Sequence, residues 1–190
     1  MKKLTLIALC SLTLMANPYE SNKEELDSVI KTGKEVSKTL LQTLGKNLKK
    51  EMKAGGPMAA AAFCTNEAYT LTASVDKNYG KDVQVKRVSL KERNPANQPK
   101  GQEKVILESL DNLQKSGVML PPYLVERVNK ETYKFYKPLM INKQVCLKCH
   151  GDISKNQKLS QYLGKTYPHD KATGYKMGDL RGAVVVTITK

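Results

Sequence analysis

Three side chains that can bind a cofactor lie within five consecutive positions near the end of the sequence. Cys146, Cys149 and His150 form the run Cys-Leu-Lys-Cys-His. Two intervening residues put both sulfurs on one side of a turn, and the histidine after the second cysteine is placed to coordinate a metal between them. This spacing is typical of covalent haem c attachment, in which both thiols form thioethers with the porphyrin and the imidazole binds the iron.

Two other interpretations of the same run stay open. A small disulfide or a redox-active cysteine pair would use both thiols but would have no use for His150. A zinc site would need further ligands such as Cys64 or His169. Zinc would also have to accept the adjacent residues Cys149 and His150, whose side chains diverge. The motif therefore favours haem over zinc or a disulfide.

The start of the sequence indicates export. Two lysines precede an uncharged, mostly apolar run over residues 4–16, which is too short to span a bilayer. Small Ala16 is followed by Asn17 and a proline, so the pattern predicts a secretory signal peptide over residues 1–16, cleaved near Ala16. We expect a periplasmic protein without stable membrane insertion.

The sequence is strongly basic. It has 32 Lys and Arg residues against 18 Asp and Glu, a formal net charge of +14. Such a charge suggests nucleic acid as a partner in a cytosolic protein, but the predicted export argues against this class. The lysines are spread along the chain, which is typical of a solvated surface. The more specific interpretation is a positive face that attracts an acidic redox partner protein or an anionic membrane surface.

Hydrophobic periodicity predicts a long amphipathic helix. Apolar residues recur at spacings of three and four from Leu26 to Met52, with Gly33 and Gly45 weakening the pattern, and Gly55-Gly56-Pro57 is expected to end the helix. After the signal peptide we therefore divide the chain into an N-terminal helix over 17–56 and a second unit over 57–190. A helix of this length can pair with a second copy, so a homodimer through it is one expectation.

The rest of the chain predicts a mixture of helices and antiparallel strands. Helices are expected first and strands later, which favours an α+β domain. The expected elements are a helix over 58–74, a strand with a bulge over 81–90, a helix over 101–117, two β-like runs over 123–142, a short helix over 152–163 and a strand over 183–189.

The order of several motifs resembles a known family. "RVSLKERNPANQP", "YKFYKPLMIN", "VCLKCHG" and "YPHDKATGYKMGDLRGA" follow one another, as in a family of bacterial single-haem c-type domains with a PAS-like fold. This family is found in cyanobacteria and many proteobacteria and was long catalogued as a domain of unknown function. The resemblance covers roughly residues 40–189. It implies a PAS-like antiparallel sheet that cradles the haem, with His150 on one side of the iron and Cys64 on the other.

The residues around Cys64 support it as a ligand independently of the resemblance. Outside the predicted signal peptide, Cys64 is the cysteine left over once Cys146 and Cys149 are used, and neighbouring alanines would let a flat porphyrin approach. An inert buried thiol is the plainer interpretation. Met177 is the first alternative sixth ligand, as in small soluble cytochromes c, and Met119, Met140 and His169 are weaker candidates. A methionine would raise the reduction potential where a thiolate would lower it.

Arginine is scarce, with four residues against 28 lysines: Arg87, Arg93, Arg127 and Arg181. The planar guanidinium recognises a carboxylate with two hydrogen bonds, which lysine cannot do. Arg93 and Arg181 lie within the motifs that carry the resemblance, so we expect them to contact the haem propionates. A surface salt bridge is the alternative for each.

These observations together predict a periplasmic monohaem c-type cytochrome that transfers electrons and is not an enzyme. The alternative is a haem-based redox or gas sensor, in which nitric oxide or carbon monoxide displaces Cys64 from the iron. A peroxidase would need an acid–base group beside the iron, and His169 is the single candidate for that role.

Overall fold

The structure is a computed structural model and describes residues 22–190, so the predicted signal peptide and its cleavage site near Ala16 lie outside the described residues. No helix in that range is long and apolar enough to cross a membrane. In chain order the elements are α1 (Lys23–Asn66), α2 (Ala68–Lys77), β1 (Val83–Val88), a short 3₁₀ turn (Pro95–Asn97), α3 (Gln102–Lys115), β2 (Leu124–Arg127), β3 (Thr132–Met140), α4 (Gln144–His150), α5 (Gln157–Thr166) and β4 (Leu180–Thr189).

The long helix α1 packs along the sheet through its apolar stripe. Val29, Val36 and Leu40 on this stripe are fully buried, as its period of three to four residues requires. The face that could have paired with a second copy is therefore already covered. A homodimer through α1 stays a prediction, and it would have to use the polar face of the helix.

Two glycines interrupt α1. The backbone leaves the helical region at Gly55 and Gly56, where Gly56 has φ 66°, a value that glycine adopts without strain. The break falls where the sequence predicts the helix to end. The chain does not turn away there, because Pro57 starts a further helical segment that carries Cys64.

The sheet is antiparallel, with strand order β1-β4-β3-β2. The central strand β4 pairs with β1 through Val83 and Ile188, and with β3 through Phe135 and Val186. The predicted α+β fold, with an antiparallel sheet and a long N-terminal helix, is confirmed.

Both faces of the sheet are covered by helices. Val85 lies in the core cluster with α1 and α2, whereas Val88 lies in a cluster with Leu107 of α3 on the other face. Burial on both faces breaks the simple alternation in the sequence, which is why a bulge was expected in β1. That prediction is wrong: β1 pairs regularly, and the irregularity lies between Leu139 and Met140 of β3.

Gly33 lies where α1 crosses the sheet. A Cβ atom at this position would overlap the side chain of Phe135, which is fully buried. Of the two glycines that weaken the helical pattern, Gly33 is therefore the one that lets α1 approach β3 closely.

Candidate functional site

One cavity brings together the two cysteines expected to attach a haem and the two residues expected to bind its iron. Cys146, Cys149 and His150 enter it from α4, and Cys64 enters it from the last turns of α1. The cavity has a volume of about 340 Å³ and mainly apolar walls. Its apolar walls include Leu41, Leu44, Leu48, Phe63, Leu139 and Ile141.

A backbone carbonyl fixes the tautomer of His150. Nδ1 of its ring lies 2.8 Å from the oxygen of Ala172. Because a carbonyl only accepts, Nδ1 carries the proton and Nε2 keeps the lone pair that a metal ligand needs. Burial and, to a smaller extent, the charges of Arg181 and Arg93 lower the pKa of the imidazole to about 3, against the opposing effect of the Ala172 bond. The ring is therefore neutral near pH 7.

Arg93 holds the loop that carries Ala172. Its Nε donates to Asp170 at 2.8 Å, and one terminal nitrogen donates to the carbonyls of Cys149 at 2.7 Å and Ala172 at 3.3 Å. The Arg93 and Asp170 side chains are each only 11% exposed, so their ion pair is not the surface salt bridge that the sequence left open. Arg93 lines the cavity, but its contacts position α4 and the acceptor of His150.

Two further guanidinium groups, those of Arg87 and Arg181, line the cavity. No carboxylate in residues 22–190 forms an ion pair with either. Nε of Arg87 is buried without a hydrogen-bond partner, while Arg181 donates to the hydroxyl of Ser89 and the carbonyl of Lys91. Burial lowers the pKa of both arginines. Cations without a counter-charge in an apolar cavity suit a cofactor that carries carboxylates.

Arg87 is the site residue that the sequence did not single out. It lies on β1 at the same phase as Val83 and Val85, whose side chains pack in the cluster with α1. Its position in the sequence does indicate a site. An arginine at an inward-facing position of a strand points to a bound partner, because a charge is rarely buried without one.

Cys64 is a free thiol exposed to the cavity. The side chain of Cys64 is accessible because it faces the interior of the cavity. The cavity walls nevertheless separate the thiol from bulk solvent. This burial raises the pKa of the thiol, and the positive charges of Arg87, Arg93 and Arg181 act in the opposite direction. The arrangement offers a soft ligand beside three cations.

The alternative ligands occupy different places. Met177 is 43% exposed and lies outside the cavity, and the exposed His169 does not line it either. Met52 and Met140 do line the cavity. Any methionine that replaces Cys64 as a ligand is therefore one of these two, and Met177 is not in position.

The thiols and the imidazole of the described residues do not form a compact ion-binding cluster. Within residues 22–190 no group of three or more Cys, His, Asp or Glu side chains converges on a point where it could hold one metal ion. Cys64, Cys146 and Cys149 are all free thiols. The thiols and the imidazole are distributed around a cavity, as a large planar cofactor requires and a tetrahedral ion does not.

Comparison with known proteins gives the family. The family described as Tll0287-like (Tll0287) matches residues 15–189. No curated protein matches the sequence. The crystal structure of the cyanobacterial haem-protein Tll0287 is 27% identical in sequence and superimposes with a TM-score of 0.56, covering 90% of this chain and 98% of that chain. The PAS-like fold that the motif order implied is thereby confirmed, and the chain belongs to the Tll0287-like family.

Proposed function

We propose that this chain binds haem, and that it holds one haem c through thioethers to Cys146 and Cys149 with His150 as an iron ligand. The observation that carries the proposal is the hydrogen bond from Nδ1 of His150 to Ala172, because it leaves Nε2 free in the cavity that both thiols line. The similar cyanobacterial structure is that of a haem-protein, which supports the same cofactor.

The residues around the cavity have separate roles in this proposal. The apolar walls exclude water, while Arg87 and Arg181 supply guanidinium groups for the two propionates. Arg93 positions His150 and adds positive charge. Cys64 is the second iron ligand. The bound haem supplies one-electron redox chemistry, and a thiolate ligand favours the ferric state.

Electron transfer in the periplasm is the function that we propose for the mature chain. Tyr69 and Val145 line the cavity, and they are 62% and 39% exposed. They therefore offer an apolar contact for another protein at the edge of the cofactor site. The basic surface would attract an acidic redox partner and speed its association.

A redox or gas sensor is the second candidate, and the break in α1 favours it. Cys64 lies in the helical segment that follows Gly55 and Gly56. Displacement of Cys64 from the iron would let this segment move relative to the long part of α1, which is packed on the sheet.

The proposal is tested with the chain exported from cells that contain the haem c maturation machinery. We expect the haem to stay with the protein in acid-acetone extraction, and Cys146→Ser/Cys149→Ser to abolish this retention. Cys64→Ala should remove the thiolate features of the oxidised absorption spectrum. Met52→Leu and Met140→Leu are the matched controls, because both residues line the same cavity, and they should leave the spectrum unchanged.

Each part of the proposal has its own contrary outcome. Haem that is fully extracted would exclude covalent attachment, and a chain that never carries haem would exclude the whole proposal. A spectrum changed by Met140→Leu but not by Cys64→Ala would transfer the ligand role to methionine. Rapid binding of carbon monoxide by the reduced protein would favour the sensor, and its absence would favour electron transfer.

A further inference from the structure

A second cavity lies beside the first, between α1, β3 and the segment that leads into β2. It has a volume of about 460 Å³ and shares Leu41 with the first cavity. Pro122, Tyr123 and Phe135 form its other apolar walls. None of the cysteines or histidines of the haem site lines it.

The accessible surface inside this cavity is mainly apolar, although Ser37 and Gln42 also line it. The rings of Tyr123 and Phe135 are stacked, with centroids 5.2 Å apart and an interplanar angle of 18°. Phe135 is fully buried and held in place by the close approach of α1 at Gly33. A ligand in this cavity therefore needs an apolar body, because the walls offer few partners for buried polar groups.

Three lysines surround the cavity, Lys34 and Lys38 from α1 and Lys137 from β3. No acidic residue lines it, and no carboxylate in residues 22–190 pairs with these lysines. The ammonium of Lys34 lies 4.7 Å from the ring centroid of Tyr123, and Lys137 donates to the carbonyl of Pro122 at 3.0 Å. The rim therefore carries three positive charges without counter-charges.

We propose that this cavity binds an amphipathic anion, specifically a free single-chain carboxylate. Its hydrocarbon chain would lie against Leu41, Pro122 and Tyr123, whose ring is backed by Phe135. Its carboxylate would remain at the rim among Lys34, Lys38 and Lys137. The volume lies in the range of small-molecule sites, which combine apolar walls with a few polar groups that fix orientation. The inference is independent of haem binding, because the two sites share only Leu41.

The probe is monomeric dodecanoate, titrated into the full mature chain below its micelle concentration. Calorimetry should show one saturable site, and the nuclear magnetic resonance signals of Leu41 and Tyr123 should shift with the same dissociation constant. Lys34→Gln/Lys38→Gln should weaken binding about fivefold, since two partly exposed charge contacts are lost. The control is Lys31→Gln/Lys46→Gln, which removes the same charge from exposed positions of α1 outside the cavity. Its affinity should stay within about twofold of the parent.

Dodecyltrimethylammonium has the same chain with the opposite charge and should not saturate the site. Three results would overturn the proposal: no saturable binding of dodecanoate, equal weakening in both double variants, or equal binding of the cationic probe. Binding only to anionic lipid vesicles, with no site for free dodecanoate, would also overturn it and would indicate a membrane-facing surface instead.

Discussion

Arg93 and His150 donate hydrogen bonds to the same carbonyl oxygen, that of Ala172, over 3.3 and 2.8 Å. Arg93 also binds the carbonyl of Cys149, the residue directly before the histidine. One side chain thus fixes both the backbone that carries the imidazole and the acceptor that orients it. In this structure Arg93 is a positioning residue for His150, whatever contact it makes with a propionate.

Replacing Arg93 with lysine should separate its charge from its geometry. The planar guanidinium of arginine reaches Asp170 and two carbonyls at once. Lysine keeps the positive charge but has no planar group that could make all three contacts. We expect the free energy of unfolding in urea to fall by about 2–4 kcal/mol, since lysine must leave either the buried carboxylate of Asp170 or the two buried carbonyls without a partner. The fraction of exported chain that retains haem should fall as well, because His150 is less well oriented.

The control for Arg93 is Lys171→Gln, in the loop that carries Asp170 and Ala172. Lys171 pairs with Glu92, but its side chain is 55% exposed, so we expect a loss below about 1 kcal/mol and unchanged haem retention. Similar losses in the two variants would show that Arg93 has no special positioning role.

The buried imidazole of His150 should make the haem-free chain sensitive to mild acid. Its folded-state pKa of about 3 lies below the ordinary value of 6.5, so the unfolded chain takes up the proton first. Stability is then fully present above pH 6.5 and is lost as the pH falls toward 3. Between pH 6.5 and about 5, where carboxylates remain ionised, we expect the free energy of unfolding to fall by about 2 kcal/mol.

His150→Asn tests this dependence, because the amide can still donate to Ala172 but does not titrate. In this variant the free energy of unfolding should hardly change between pH 6.5 and 5, when urea unfolding is followed by circular dichroism. His169→Asn changes the exposed histidine in the same way and should keep the parent slope. A slope that survives His150→Asn would assign the acid sensitivity to other groups.

Gly33→Ala should destabilise the protein although alanine favours helices. The new methyl group would overlap Phe135, and neither α1 nor the central strands can shift without loss of packing. We expect a loss of about 1–3 kcal/mol in the free energy of unfolding. Gly164→Ala is the matched change in α5, where a Cβ meets nothing within 4 Å. It should raise stability by about 0.5–1 kcal/mol, and a stabilising Gly33→Ala would contradict the close approach seen here.

Features set by neighbouring residues could be predicted from the sequence. The period of α1 and the alternation in β3 depend on local spacing, and the run from Cys146 to His150 contains its chemistry within five positions. The local sequence alone did not identify Cys64 as a site residue. Its position among alanines was compatible with an inert thiol, and the resemblance pointed to it before the cavity placed it beside the other three residues.

Features set by tertiary contacts could not be predicted. The two carbonyls that Arg93 holds are those of Cys149 and Ala172, far along the chain, so its motif suggested a propionate contact but not a positioning role. Gly33 appeared as a defect because Phe135, which requires it, lies on another element. The spacing of Val85 and Val88 suggests a bulge only if both lie on one face of β1, but they lie on opposite faces that different helices cover.

The central place of β4 in the sheet determines the order in which the molecule can fold. Val83 of β1 finds its partner only in Ile188, more than a hundred positions later, so β1 cannot be paired while the intervening chain is still being made. Such distant pairing slows folding. The segment with Cys146 and Cys149 connects β3 to β4, and Arg181 is part of β4 itself. Arg181 can reach the cavity only once β4 has paired with its neighbours, so the wall of the cavity is complete only when the last strand is in place.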